Sequence, residues 1–203
     1  NGYSIYDYKT GKFDNDYKTT LEKLKIPSKN ILRIGKTPKN EFWAYDHSKI
    51  YILNIDNNSL KAYPLSIEKI SNISIGVQYI YVMYSNGVLY SINKQTSETR
   101  EITIPAIYKP LLEDHEPHVY TDQSESIWIY TYQNSLLLYK SNLTQQWEDI
   151  CLNSCNDIQY NRVQRILDLG DGNVWILTSH MGLVIYNTCL LYTSDAADEL
   201  DGV

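Results

Sequence analysis

The chain has 203 residues, 43% of them hydrophobic, with 19 Tyr against 2 Phe and 2 Met. That length can bury a sizeable core, and no apolar run approaches the ~18 residues of a membrane span. The formal charge of −6 comes without any basic stripe of the kind that tracks nucleic acid.

Read in chain order, the sequence repeats itself. Residues 2–7 look like the closing half of a unit, so the chain is expected to open within one. Then come four short runs with an aromatic residue between apolar neighbours: Phe42-Trp43-Ala44, Ile80-Tyr81-Val82, Ile127-Trp128-Ile129 and Val174-Trp175-Ile176. The central residues are spaced by 38, 47 and 47 positions. Each run is followed by a turn and a second strand, over residues 50–56, 88–93, 136–142 and 183–187. Those strands end in Asp56, Asn93, Asn142 and Asn187, residue types that bond their own backbone in turns. More polar segments follow the first three, at residues 59–63, 97–102 and 146–150, as expected of outer strands facing water.

A period of about 40 to 50 residues with several strands per unit predicts a β-propeller. The faces of the anchor strands agree. Alternation puts Ile127 and Ile129 on one side and Trp128 and Tyr130 on the other, and Phe42/Ala44 against Trp43/Tyr45 and Ile80/Val82 against Tyr81/Met83 behave alike. A strand apolar on both faces needs cover on both, which stacked blades supply. A two-sheet sandwich, the alternative architecture, would leave one wet face per strand. The predicted fold is all-β: a partial β-propeller of consecutive four-stranded antiparallel blades over residues 1–188, with a partial blade, about three full blades and another partial blade. A closed propeller needs about 4 to 8, so an isolated open set is expected to expose apolar faces and behave poorly.

Residues 189–199, Cys189-Leu190-Leu191-Tyr192-Thr193-Ser194-Asp195-Ala196-Ala197-Asp198-Glu199, resemble the translation of a transposase-end sequencing adapter. On that reading the native sequence ends near Thr188 and residues 189–203 are a non-native tail. The other reading is a short helix capped by Ser194. The tail carries Asp195, Asp198, Glu199 and Asp201; without these four acids the charge is −2, so the acidic balance says little about partners. Of the three cysteines Cys189 lies in the tail. Cys151 and Cys155, four apart, can close a disulfide in an oxidising compartment or remain thiols.

Residues able to carry chemistry are scattered. His115 and His118 lie in the segment Leu112-Glu113-Asp114-His115-Glu116-Pro117-His118, dense in metal-capable groups, yet read more simply as a solvated connection before the strand His118-Val119-Tyr120, because ligating histidines usually sit on supported elements. His47 and His180 fall in hairpin turns with no nucleophile to pair with. Asp14 and Asp16 suggest a carboxylate pair, which a polar turn explains equally. Asp56-Asn57-Asn58 lacks the Gly and distal Glu of a calcium loop. Tyr faces suit sugar rings, although most are expected to fill the gaps between blades. No catalytic residue, metal ligand or cofactor is assigned, and no ligand-binding residue is singled out.

The segment Asp171-Gly172-Asn173-Val174-Trp175-Ile176-Leu177-Thr178, followed by Gly182-Leu183-Val184-Ile185-Tyr186-Asn187, resembles the two-component regulator propeller repeat. Residues 126–131 with Leu138-Tyr139 form a weaker copy, and Asn40-Glu41-Phe42-Trp43-Ala44 and residues 85–90 weaker ones still. Leu177 stands where the repeat usually has Gly, and Tyr81 where it has Trp. The resemblance implies an extracytoplasmic, periplasmic-side sensor region of a hybrid two-component histidine kinase responding to a glycan fragment. It further implies a membrane helix and kinase elsewhere in the parent protein, a homodimeric full-length receptor, and no enzymatic activity in this stretch. An extracellular propeller enzyme or lectin acting on polysaccharide is the alternative.

Overall fold

Short runs of β-branched, aromatic and aliphatic residues between Gly, Asn, Asp and Ser turns fold as antiparallel strands joined by tight hairpins. The computed structural model describes residues 5–7, 9–14, 31–37, 41–54, 56–57, 59–66, 68–113, 115–151 and 161–188. β1 (Ile5–Asp7) and β2 (Lys12–Asp14) pair with each other. β3 (Arg33–Lys36), β4 (Glu41–Tyr45), β5 (Lys49–Asn54) and β6 (Ser59–Pro64) form a four-stranded meander. A second meander contains β7 (Ile70–Ile75), β8 (Tyr79–Tyr84), β9 (Leu89–Asn93) and β10 (Thr99–Ile102). The third has β11 (Pro117–Thr121), β12 (Ile127–Thr131), β13 (Leu137–Lys140) and β14 (Trp147–Asp149). β15 (Val163–Asp168), β16 (Asn173–Thr178) and β17 (Leu183–Asn187) make a three-stranded sheet. A 3-10 turn, Ala106–Tyr108, and a one-turn helix α1 (Lys109–Leu112) link β10 to β11. Periodicity gave no hint of them: the helical turn forms around Pro110 at the helix start, and its only buried residue is Leu112.

The chain divides into two compact units, Asn1–Ile67 and Glu68–Val203. In the first, Ala44 and Tyr51 are buried beneath Ile31, Phe42 and Leu60. In both units the anchor residues occupy the same slot. Trp43 lies opposite Gly35 and Ile52, and Tyr81 opposite Ser74 and Ser91. Trp128 lies between Tyr120 and Tyr139, and Trp175 between Leu167 and Ile185. All four sit at the centre of the second strand of their sheet.

Within the second unit the sheets stack face to face. Tyr81, Met83 and Leu89 pack against Val119, Ile127, Ile129 and Leu138. Trp128, Tyr130, Leu137 and Tyr139 pack against Val163, Ile166, Val174 and Ile176. β12, the strand between the two cores, is thus covered on both faces, as read from the sequence, and every one of its residues is buried. Sheet-to-sheet hydrogen bonds carry the period of the repeat. Val119 N–H donates to Asn72 Oδ1 (3.1 Å), Thr121 N–H to Ser74 Oγ (2.9 Å) and Asp168 N–H to the Tyr120 hydroxyl (2.8 Å), linking residues 47 or 48 apart. The first strands β11 and β15 would otherwise present unpaired N–H groups along their free edges, and side chains of the preceding sheet satisfy several of them. Burial pushes the Tyr120 hydroxyl up to about 12, against the lowering effect of the N–H bond it accepts from Asp168.

The stack has an open end. Leu167, Leu177, Leu183 and Ile185 share the face of Trp175 on β15–β17 and are exposed. This is the uncovered apolar face expected of an unclosed set of blades, and Leu177, the departure from the repeat, lies on it.

The closing turns use the predicted chemistry at partly shifted positions. Asn54 Oδ1 accepts from the N–H groups of Asp56 and Asn57, Asn93 Oδ1 from Gln95 and Thr96, and Ser141 Oγ from Leu143 and Thr144. The capping residues are therefore Asn54 and Ser141 rather than Asp56 and Asn142, because the strands end one or two residues earlier than the apolar runs suggest.

Asp122 is the most constrained carboxylate in the stack. Its Oδ1 accepts from Ser124 and Ser126 N–H (3.0 and 2.9 Å), and its Oδ2 accepts from Trp128 Nε1 (3.0 Å). Burial raises its pKa against the lowering effect of those donors. Asp122→Ala is expected to destabilise the chain by about 1–3 kcal/mol, since three donors lose their acceptor in a buried turn; urea denaturation followed by circular dichroism measures it.

Candidate functional site: a polar cleft between two stacked sheets

Of the two sheet interfaces within the second unit, one is filled at the anchor slot and the other is left open. On the third strand of each sheet, the residue opposite the anchor is Ile52, Ser91, Tyr139 and Ile185 in turn. Tyr139 closes its interface by packing on Trp128 (ring centroids 4.5 Å) and Tyr186 (6.1 Å). Ser91 cannot, and its anchor is the smaller Tyr81. The result is a cleft of about 260 Å³ between β7–β10 and β11–β14, lined by Tyr79, Tyr81, Ser91, Arg100, Glu125, Ile127 and Lys140, with Asn142 and Gln145 at the β13–β14 turn.

Register decides which side chains face it. Arg100 pairs with Ser91, which pairs with Tyr81, so all three lie on the cleft side. Glu101 pairs with Tyr90 and points to the opposite face, where the Tyr90 hydroxyl approaches its carboxylate at 3.5 Å. Lys140 lies opposite Ile127 and Trp147 and shares their face, on the side where Trp147 packs against the core shared with β7–β10. The cleft therefore holds two cations, Arg100 and Lys140, and one carboxylate, Glu125.

Glu125 ties the two walls together. Its Oε1 accepts from Gln78 N–H (2.7 Å) and its Oε2 from the Tyr81 hydroxyl (3.2 Å). Gly76 makes room for this reach: a Cβ there would lie 2.6 Å from the Glu125 carboxylate oxygens. Glu125 (φ 63°) and Gln145 (φ 60°) are two of four non-glycine residues with positive φ among the described residues. That conformation is disfavoured for side-chain-bearing residues and tends to gather where a site over-determines the backbone. Burial, then the neighbouring Glu125, raises the Tyr81 pKa strongly, so its hydroxyl remains a hydrogen-bond donor rather than a base. Glu125→Ala is expected to cost about 1–2 kcal/mol through the orphaned Gln78 N–H, whereas Glu125→Gln, which keeps an acceptor for it, is expected to be within about 0.5 kcal/mol of wild type; melting temperatures of the two variants separate these outcomes.

The remaining groups that the sequence raised stay apart from this cleft. His47 and His180 sit exposed in the β4–β5 and β16–β17 turns. His115 bonds through Nδ1 to its own loop, at Glu113 O (2.6 Å). His118 lies in a strand, as read from the sequence: it is a buried member of β11, stacked on Tyr130 (5.3 Å) and close to Tyr132 (4.1 Å). β11 begins at Pro117, and the aromatic surroundings give its imidazole a packing role. Asp114 lies outside the described residues. Among the described residues no group of three His, Cys, Asp or Glu side chains is gathered to hold a metal. Asp14 ends β2, while Asp16 lies outside the described residues, as do Asn58, Cys155 and residues 189–203; Asp56 and Asn57 form a turn, and Cys151 is exposed beyond β14. Among the described residues no helix is long and apolar enough to cross a membrane.

Neither a protein-family model nor a curated protein matches the sequence. Solved structures do match. The chain is similar to virginiamycin B lyase from Staphylococcus aureus (13% identity, TM-score 0.51), over 90% of this chain and 61% of that one. It is similar to the extracellular domain assigned to a one-component system of B. thetaiotaomicron (15% identity, TM-score 0.54), over 81% of this chain and 22% of that one. YCF48 from Cyanidioschyzon merolae matches with 12% identity and a TM-score of 0.57, over 83% of this chain and 54% of that one. The chain is an all-β partial β-propeller. At these identities the likeness establishes the fold, and the chain spans less than two thirds of each neighbour's length.

Proposed function

We propose that this propeller stretch is an extracytoplasmic ligand-sensing region of a hybrid two-component histidine kinase, and that it takes a sugar unit of a glycan fragment in the cleft beside Ser91. The observation that carries the reading is the difference between two neighbouring interfaces: the one at Tyr81 and Ser91 is left open and lined with hydrogen-bonding groups, while the one at Trp128 and Tyr139 is closed by aromatic rings. A pocket below about 300 Å³ is smaller than typical drug-sized sites and suits one small polar unit. Tyr79 offers an aromatic surface, and Ser91, Asn142 and Gln145 both donate and accept, as hydroxyl-rich ligands require. The resemblance of residues 171–187 to the sensor repeat and the likeness in fold to the extracellular domain assigned to a one-component system of B. thetaiotaomicron support the same assignment and a periplasmic location; a homodimeric parent is implied by the repeat resemblance alone. The cleft favours binding over chemistry, because Glu125 is engaged by two donors and glycoside hydrolysis calls for a pair of carboxylates.

The test is a thermal-shift screen of the chain against soluble oligosaccharides of diverse composition. At least one class should raise the melting temperature in a saturable, concentration-dependent way; a flat response across all classes would remove the sugar reading. Absence of a hydrophobic helix and kinase in the reading frame around this stretch would remove the kinase assignment.

A further inference from the structure

The cleft's charges are not evenly satisfied. Glu125 has two donors. Arg100 is paired with Glu98 (2.9 Å), but both partners are largely exposed, so the pair is weak and easily exchanged. Lys140 differs from both. Its ammonium bonds to the Gln145 side-chain oxygen, and no described carboxylate pairs with it. Partial burial at the mouth of the interface lowers its pKa, which means that the charge is held there against a desolvation penalty with no anion offsetting it. Of the other acids nearby, Glu98 sits on Arg100, Glu101 is turned to the far face by its strand register, and Asp149 shares the face of Lys140 on β14 without an ion pair to it. The side chains facing the cleft thus sum to one net positive charge, and its least satisfied member is a cation.

We infer that the sugar unit taken by this cleft carries an anionic oxygen group, a carboxylate or a sulfate ester, received by Lys140 with Arg100 as its second cation. This inference rests on the sugar-binding reading above and narrows it from any polar sugar to an acidic one. Lysine is a compact point charge without the planar fork of arginine, so Lys140 alone does not discriminate between the two anions. Arg100 approaches from the outermost strand β10 and Lys140 from the last residue of β13, so the acidic substituent lies between these two and the ring towards Tyr81 and Ser91.

Isothermal titration of the full chain with D-glucuronate, glucose 6-sulfate and D-glucose tests it. At least one acidic sugar is expected to bind about ten-fold or more tightly than glucose, the scale of a charge-assisted contact, and which one binds identifies the anion. Lys140→Gln should remove that advantage, so that acidic sugars bind this variant no more tightly than glucose binds it, with the melting temperature within a few degrees of wild type. Raising the pH should weaken acidic-sugar binding before the ordinary lysine value of 10.5 is reached, because deprotonation of Lys140 sets in early. Glucose binding as tightly as the acidic sugars, or Lys140→Gln leaving the preference intact, would overturn the anionic inference and leave the sugar site standing. No binding of any of the three would overturn both readings.

Discussion

Trp128→Ala is expected to destabilise the chain by about 3–5 kcal/mol, the range for removing a large aromatic side chain from a packed core. Trp128 is fully buried, with Tyr139 at 4.5 Å on one side and Tyr186 edge-on at 5.3 Å. Its Nε1 is also a donor to the buried Asp122 carboxylate (3.0 Å). Two losses therefore combine: a cavity between sheets β11–β14 and β15–β17, and a buried acceptor left short of a donor. Trp128→Phe isolates the second loss by retaining most of the ring volume, and about 1–3 kcal/mol is expected for it. Trp175 occupies the same slot of the repeat on the open end of the stack, where it is only half-buried. Trp175→Ala is expected to cost about 1 kcal/mol. Urea unfolding of the three variants measures the series. Equal losses at Trp128 and Trp175 would contradict the stacking, because they would mean that the two rings have equivalent surroundings.

That contrast marks how far sequence alone reaches. The spacing of Trp43, Tyr81, Trp128 and Trp175, with apolar residues on both faces of each anchor strand, was enough to place four meanders and to put the four rings in equivalent positions. Periodic patterning records what every unit must do, which is to bury both faces of its second strand. It does not record how one interface differs from the next. His118 reads as the start of a strand, but the polar residues before it give no sign that its ring is buried against Tyr130, its partner across the sheet. The link Ala106–Leu112 was missed because a single helical turn has no period to detect. The cleft was also missed, although one of its signals was noticed: Tyr81 in place of Trp. The second signal, Ser91 where the other sheets have Ile or Tyr, becomes visible only once the third strands are aligned through their registers. Glu125 and Gln78 lie 47 residues apart, so their contact follows from the repeat length only after the stacking is known.

Filling the gap left by Ser91 should separate function from stability. Ser91→Tyr places in β9 the residue type that β13 carries at Tyr139, opposite the anchor of the same slot. The space is already present, so the ring enters an existing cleft of about 260 Å³ instead of displacing packed neighbours. The usual penalty for overpacking, about 1–3 kcal/mol, should therefore be largely avoided, and burial of ring surface against Tyr81 and Ile127 works in the favourable direction. The expected result is a melting temperature within a few degrees of wild type together with loss of saccharide binding to below detection, read by titration calorimetry on the same preparations. Ser91→Ala is the matched control: it removes one hydroxyl without occupying the cleft, and binding should weaken by about ten-fold or less, the scale of one neutral hydrogen bond. If Ser91→Tyr binds saccharide as wild type does, the ligand sits elsewhere on the propeller. If it unfolds while Ser91→Ala does not, the gap is smaller than the geometry indicates, and the interface at Tyr81 is closed like the one at Trp128.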